Sequence, residues 1–210
     1  CKNYIYIFHS LVSTHKYYTN QAFDNYDKIF CCGNYQINEI LKNEEIHSLK
    51  KKILVNTGYL FLDYLDEKIK KRNFNSSTKK ILFATTWNKN MQGLTNTDLS
   101  GIFDSLLQKY QIIFRPHPED LKRNKIVISK IADKYKNNKN FVLDVNSENF
   151  KSLEESCLMI TDAGGIFLEY LFAFKKPVIF LEGYEKVHNH DYKKVFNQTF
   201  EDNIRTKFCL

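Results

Sequence analysis

The chain has 210 residues, 43% of them hydrophobic, and 31 Lys+Arg against 24 Asp+Glu give a formal net charge of +7. That size accommodates one large domain, or one complete and one partial domain, each with its own core. No apolar run approaches the roughly 20 residues that cross a bilayer and no signal peptide is visible, which excludes a helical membrane-spanning protein and leaves only peripheral contact with a membrane.

The positive balance suits phosphate-rich or anionic partners, the negative face of a membrane among them, without choosing between them. Lys50-Lys51-Lys52, Lys70-Lys71-Arg72 and Lys79-Lys80 fall near the ends of elements. Solvated helix faces explain such runs better than nucleic acid does, so no nucleic-acid partner is expected. The cysteines Cys1, Cys31, Cys32, Cys157 and Cys209 are odd in number and lack a zinc spacing, which points to reduced thiols in a cytosolic setting. Beginning at Cys1-Lys2-Asn3 and entering a strand at once, the chain reads as a piece of something longer.

In chain order, apolar runs predict strands over 4–8, 28–32, 53–56, 81–84, 112–114, 141–143, 157–160 and 178–181. Helical patterns separate most of them. Residues 59–70 place Leu60, Leu62, Tyr64, Leu65 and Ile69 largely on one stripe, and 99–110, 125–136 and 166–174 behave alike. Such alternation favours an α/β fold with a parallel sheet covered on both sides. The polar stretch 73–78 reads as a linker. The organisation expected is a partial first domain over 1–49, a fuller nucleotide-diphosphate-binding domain over 50–195, and a last segment, 196–210, folding back on the first.

Ligand groups in an open parallel sheet gather just beyond the carboxyl ends of its strands. The first strand leads to His9, which can take a proton from an acceptor hydroxyl if its domain faces the second across a cleft. His15, within the following helix, is the weaker rival, and a core or capping role suits either histidine. The strand 81–84 leads to Thr85-Thr86-Trp87-Asn88, where Thr86 offers a hydroxyl to a phosphate and Trp87 packs under its loop. The strand 112–114 leads to Arg115-Pro116-His117-Pro118. Arg115 supplies a planar donor fork, and His117, held between two prolines, can donate to a leaving phosphate. The competing reading pairs Arg115 with Glu119 or Asp120 and gives His117 to a loop carbonyl.

The run 157–160 enters Thr161-Asp162-Ala163-Gly164-Gly165 and a helix. Adjacent glycines let a phosphate approach the unpaired amides of a helix start, where the dipole also favours an anion. Equally, Asp162 can simply cap that helix. Glu169, one turn further on, is placed to accept from a ribose diol. His188-Asn189-His190-Asp191 has metal-ligand composition but no fourth ligand at a matching spacing, so a cleft-lining loop is preferred to zinc and neither metal nor cofactor is expected.

The order of His9, Asn56-Thr57-Gly58-Tyr59, Ala84-Thr85-Thr86-Trp87, Arg115-Pro116-His117-Pro118, and Thr161-Asp162 through Lys176-Pro177 resembles the CDP-glycerol glycerophosphotransferase family, which builds teichoic-acid-like and capsular polymers. The resemblance implies a GT-B architecture of two Rossmann-like domains, the N-terminal one represented only by its end. It implies His9 as catalytic histidine, Thr86, Arg115 and His117 as diphosphate contacts, Asp162 through Gly165 as the phosphate-binding helix start, and Glu169 as a later acidic position of the same motif.

Departures are visible. Phe8-His9-Ser10 stands where the family usually has Trp-His-Gly, Leu60-Phe61 replaces Pro-Arg, Thr85-Thr86-Trp87-Asn88 replaces Pro-Thr-Trp-Arg, and Asp162-Ala163-Gly164-Gly165 replaces Asp-Tyr-Ser-Ser. The last form resembles the Asp-Ser-Gly-Gly turn of UDP-N-acetylglucosamine 2-epimerases, of whose paired glutamates only Glu169 remains. The resemblance thus implies a transferase that moves glycerol or ribitol phosphate from a CDP-linked donor to a hydroxyl of a surface glycan or polyol-phosphate polymer and releases CMP. It implies a cytoplasmic place, at the inner face of the membrane. A nucleotide-sugar glycosyltransferase, a 2-epimerase and a non-catalytic nucleotide-binding module are the alternatives.

Overall fold

The structure is a computed structural model, and it describes residues 3–71, 79–87, 99–181 and 185–208. The expected linker at 73–78, Asn88, Cys1 and Cys209 lie outside the described residues. The chain divides into two compact units, Cys1–Tyr64 with Lys186–Phe208, and Leu65–Glu185.

The first unit contains β1 (Ile5–Ile7), α1 (Thr14–Tyr17), β2 (Lys28–Cys31), α2 (Asn34–Ile46) and β3 (Ile53–Asn56). Its three strands form a parallel sheet in the order β1-β2-β3. Strand residues alternate between faces, and the inward set of β2, Ile29 and Cys31, is fully buried. These residues pack with Phe8, Phe23 and Ile40. Tyr6 and Phe23 meet edge-on with ring centroids 5.1 Å apart, a geometry that adds roughly 0.5–1.5 kcal/mol beyond area burial.

The division of the chain differs from the expected 1–49, 50–195 and 196–210. β3 hydrogen-bonds to β2 in the register Ile29↔Leu54 and Phe30↔Val55, so its backbone completes the first sheet. The boundary therefore falls at Tyr64/Leu65, inside α3 (Leu60–Lys70). At the other end, α9 (Tyr192–Val195) and α10 (Phe200–Phe208) belong to the first unit. Phe200 stacks on Tyr35 at 4.2 Å between centroids, and its amide donates to Ser13 Oγ at 2.8 Å. Thr199 starts α10 reciprocally, its Oγ1 accepting the Asp202 amide while Asp202 Oδ2 accepts the Thr199 amide, which satisfies N–H groups a helix start leaves unpaired.

The second unit holds β4 (Lys80–Ala84), α4 (Ser100–Leu106), β5 (Gln111–Arg115), α5 (Pro118–Arg123), α6 (Lys125–Tyr135), β6 (Phe141–Leu143), α7 (Phe150–Glu155), β7 (Leu158–Thr161), α8 (Ile166–Glu169) continuing into a π-helical turn (Tyr170–Phe174), and β8 (Val178–Phe180). Its sheet is parallel in the order β6-β5-β4-β7-β8. The central strands are covered on both faces, which is why Ile81-Leu82-Phe83-Ala84 reads as an unbroken apolar run, each residue at most 2% exposed. Phe103 of α4 inserts between Phe83 and Phe114, at 4.9 and 5.6 Å.

This strand order has one functional consequence. The chain leaves β4 toward β5 and β6, then returns to place β7 on the other side of β4. The connections reverse direction there, so the carboxyl ends of β4 and β7 flank a topological switch point, the place where open α/β sheets bind ligands.

Candidate active site

Register brings the expected segments into a row. Ala84, at the end of β4, pairs with Arg115 on one side and Thr161 on the other. Thr86 and Thr161–Gly165 therefore border the switch point directly, whereas Arg115 and His117 follow β5, one strand further along.

Asp162 ties the two strand ends together. Its Oδ1 accepts the Thr86 amide at 2.8 Å, and the residue is only 3% exposed. Its carboxylate thus reaches across to the neighbouring strand. Thr161, Asp162 and Ala163 are buried, while Gly164 and Gly165 are half-exposed at the start of α8. A Cβ on Gly164 would lie 3.5 Å from Thr86 Cβ, 3.6 Å from Thr86 Oγ1 and 3.9 Å from Thr161 Oγ1. The glycine thus runs close past two threonine hydroxyls. Thr161 Oγ1 is buried and has no hydrogen-bond partner among the described residues.

Arg115 takes a different part from the expected one. It ends β5 rather than following it and is 8% exposed. Its guanidinium donates to Asp144 Oδ2 at 2.6 Å and to the Asn146 carbonyl at 2.9 Å. Burial alone would raise the Asp144 carboxyl; the Ser152 hydroxyl, the Asn146 amide and Arg115 outweigh it and hold the group below its ordinary value. A buried guanidinium must be matched by a carboxylate and acceptors. The fork expected to meet a diphosphate is here bound to the loop after β6, and Glu119, its anticipated alternative partner, pairs with Lys122 and Arg123 instead.

His117 caps α5. Its Nδ1 accepts the Glu119 amide at 3.1 Å, which in the neutral ring leaves the proton on Nε2. Pro118 fills the first helical position, where a missing N–H costs nothing. Trp87 is half-buried with the Arg123 guanidinium over its ring at 5.6 Å, so the loop after β4 touches the end of α5. Glu169 accepts from Asn149 Nδ2 at 3.4 Å. Lys176 Nζ donates to the carbonyls of Leu153, Glu154 and Ser156, closing the end of α7.

In the first unit, His9 follows β1 with an exposed side chain, and its carbonyl accepts from Tyr59 Oη at 2.8 Å. His15 is 3% exposed, with Nδ1 3.2 Å from Glu39 Oε1, so it is a core residue. The segment His188-Asn189-His190-Asp191 docks onto α1: Asn189 Nδ2 donates to the His15 carbonyl at 2.9 Å and to Asn20 Oδ1 at 2.7 Å. Among the described residues no group of three or more His, Cys, Asp or Glu is placed to hold a metal ion, and no helix is long and apolar enough to cross a membrane.

Sequence reasoning missed Asp144, and it named Tyr59 within a motif without giving it a role. Asp144 directly follows β6, so the strand-end rule that found Arg115 would have found its partner. Tyr59 lies beside the Asn56-Thr57-Gly58 turn, but nothing in spacing says that its hydroxyl reaches back to the end of β1.

Two parallel sheets, the larger with a switch point bordered by a glycine turn, define a Rossmann-like α/β protein of the GT-B type. The chain belongs to the CDP-glycerol:poly(glycerophosphate) glycerophosphotransferase family, whose model matches residues 10–205 and so begins one residue after His9. Among solved structures it is similar to the wall teichoic acid polymerase TagF, with 20% identity, a TM-score of 0.52, and coverage of 85% of this chain and 49% of that one. It is also similar to the UDP-GlcNAc 2-epimerase of Methanocaldococcus jannaschii solved with UDP-GlcNAc and UDP, with 23% identity, a TM-score of 0.52, and coverage of 74% and 45%. These likenesses show the fold. The chain spans about half the length of the relatives it matches. No functionally curated protein matches it.

Proposed function

We propose that the full-length protein transfers a polyol phosphate, glycerol or ribitol phosphate, from a CDP-linked donor to a hydroxyl of a growing surface polymer, and releases CMP. Family membership over residues 10–205 carries this reading. The switch-point geometry supports it. Gly164 and Gly165 lie half-exposed at a helix start, where main-chain amides suit an anion, and the buried Thr161 hydroxyl gains a partner when a phosphate oxygen docks beside it.

In this reaction the acceptor oxygen attacks the β-phosphorus, the bond from that phosphorus to the bridging oxygen breaks, and the electron pair leaves with CMP. His9 receives the proton of the acceptor hydroxyl. The amides of the glycine turn, the Thr86 and Thr161 hydroxyls and the Nε2–H of His117 meet the charge that grows on the diphosphate. Glu169 accepts from the ribose diol. Since Arg115 is engaged by Asp144, it serves the site by holding the loop after β6. No metal or further cofactor enters this reading. The proposed working place is the cytoplasmic face of the membrane, where a chain of net charge +7 meets anionic lipid.

The test is turnover by the full-length protein on CDP-glycerol, CDP-ribitol, UDP-sugars and CMP-sugars. CMP release from a CDP-polyol is expected, and His9→Ala is expected to lower it by about 10²–10⁴-fold, the usual worth of a general base, with nucleotide affinity retained. UDP release or an epimerised sugar would instead establish nucleotide-sugar chemistry, and binding without turnover on any donor would establish a non-catalytic module.

A further inference from the structure

Every residue from His9 to Thr14 has a backbone polar atom held by a side chain from another element. Tyr59 Oη donates to the His9 carbonyl at 2.8 Å, and Cys32 Sγ approaches the Ser10 carbonyl at 3.7 Å. Tyr35 Oη donates to the Leu11 carbonyl at 2.5 Å, and Gln36 Nε2 to the Val12 carbonyl at 3.1 Å. Glu201 Oε1 then accepts the Ser13 amide at 2.8 Å, and Glu39 Oε2 the Thr14 amide at 2.5 Å. Gln36, Glu39 and Glu201 are each at most 4% exposed, and Tyr59 is 8% exposed.

A loop residue ordinarily leaves its main chain to water. Here side chains of α2, α10 and the segments after β2 and β3 replace water from His9 to the first residue of α1, so the backbone of the connection from His9 to Ser13 is fixed without belonging to helix or sheet. His9 lies at the start of this segment with its own side chain exposed. The bond nearest to it comes from Tyr59. That residue reaches the end of β1 from the far side of β2 because Gly58, at φ 73°, turns the chain through the left-handed region just before it.

We propose that Tyr59 is a positioning residue for His9: its hydroxyl, bound to the His9 carbonyl, sets the backbone from which the imidazole projects, and the side chains bound along Ser10 to Thr14 keep that setting. The inference rests on the reading of His9 as the base. Its physical content is that a general base must be held in a narrow geometry, and that a displacement of about 1 Å costs up to 10²-fold in rate.

The experiment uses the full-length protein and CMP release from CDP-glycerol, with Tyr59→Phe, His9→Ala and the double variant. Tyr59→Phe removes only the hydroxyl and is expected to lower kcat about tenfold with KM for the donor unchanged. In the His9→Ala background the same change is expected to have no further effect, because the group it positions is gone. A merely structural tyrosine would act equally in both backgrounds, and that result would overturn the proposal, as would unchanged kcat in Tyr59→Phe. Full turnover by His9→Ala would remove the reading of His9 itself; loss of turnover by His9→Ala with wild-type Tyr59→Phe would remove the positioning role alone. Should Tyr59→Phe not fold, Tyr35→Phe, which releases the Leu11 carbonyl, is expected to show the same kcat-only loss, and its absence would count against the proposal.

Discussion

The carboxylate of Asp162, just past β7, accepts the main-chain amide of Thr86, just past β4, at 2.8 Å. One side chain thereby holds the loop after β4 against the start of the glycine turn, beyond the ladder that already pairs Ala84 with Thr161. Hydrogen bonds to a charged acceptor contribute roughly 1.5–3 kcal/mol. Asp162→Ala is expected to lower the stability of the protein by about that amount and to weaken nucleotide binding as well. Urea denaturation followed by titration with CMP measures both. Unchanged stability would show that the Thr86 segment is held by other contacts.

Arg115 and Asp144 form a buried ion pair with exposures of 9% and 5% for the two side chains. Removing one member leaves the other charged and unmatched, which costs about 3–5 kcal/mol. Arg115→Ala is therefore expected to destabilise the fold by several kcal/mol, and Asp144→Ala comparably, with the double variant less damaging than the sum of the two. Chemical denaturation of the three variants tests the pairing. A full-strength fold in Arg115→Ala with lost donor affinity would return the guanidinium to the diphosphate.

At Gly164 the space beside Thr86 is that of ordinary van der Waals contact. Gly164→Ala is accordingly expected to change stability by less than about 1 kcal/mol. Gly164→Leu extends past that contact into the place of the phosphate, and calorimetric affinity for CMP is expected to fall at least tenfold. Equal affinity in Gly164→Leu and the parent would move the phosphate elsewhere.

Glu201 gives the first unit a pH dependence. Burial pushes its carboxyl up, and Glu39 adds to the shift, while bonds from the main chain and Ser13 oppose it. A carboxyl that holds its proton more tightly folded than unfolded lends stability in acid and loses it as pH rises from the ordinary value of about 4.3 through the folded one. The urea midpoint is expected to decline over that interval, and Glu201→Gln, which cannot titrate, to flatten the slope. An identical slope in the variant would place the dependence on another group.

Much of the fold is legible in residue order. Strand positions at 53–56 and 141–143 coincide with Ile53–Asn56 and Phe141–Leu143, because short apolar runs bracketed by polar and turn residues mark strands even at the edges of the two sheets, where Ile53 and Val142 stand exposed. The helix α2 went unread: Asn34–Ile46 buries Gln36, Glu39 and Glu44 beside Ile40 on its inward side, so polar residues interrupt the apolar stripe that periodicity looks for. The stretch 166–174 is helical as expected, but its second half winds as a π-turn, with Tyr170 Oη donating to the Ser156 carbonyl at 3.2 Å. Such a bond is made between distant residues and leaves no local pattern.

Sequence by itself determined the alternation of strands and helices, the glycine turn after the strand ending at Thr161 and the family to which these motifs belong, because each depends on residues close together in the chain. Tertiary structure alone decided that Arg115 answers Asp144, that β3 completes the first sheet and that Tyr59 holds the main chain of His9. Each of those is a pairing of a charge or a hydrogen-bonding group across a long stretch of chain, and only the folded geometry says which of several chemically equivalent partners lies within reach.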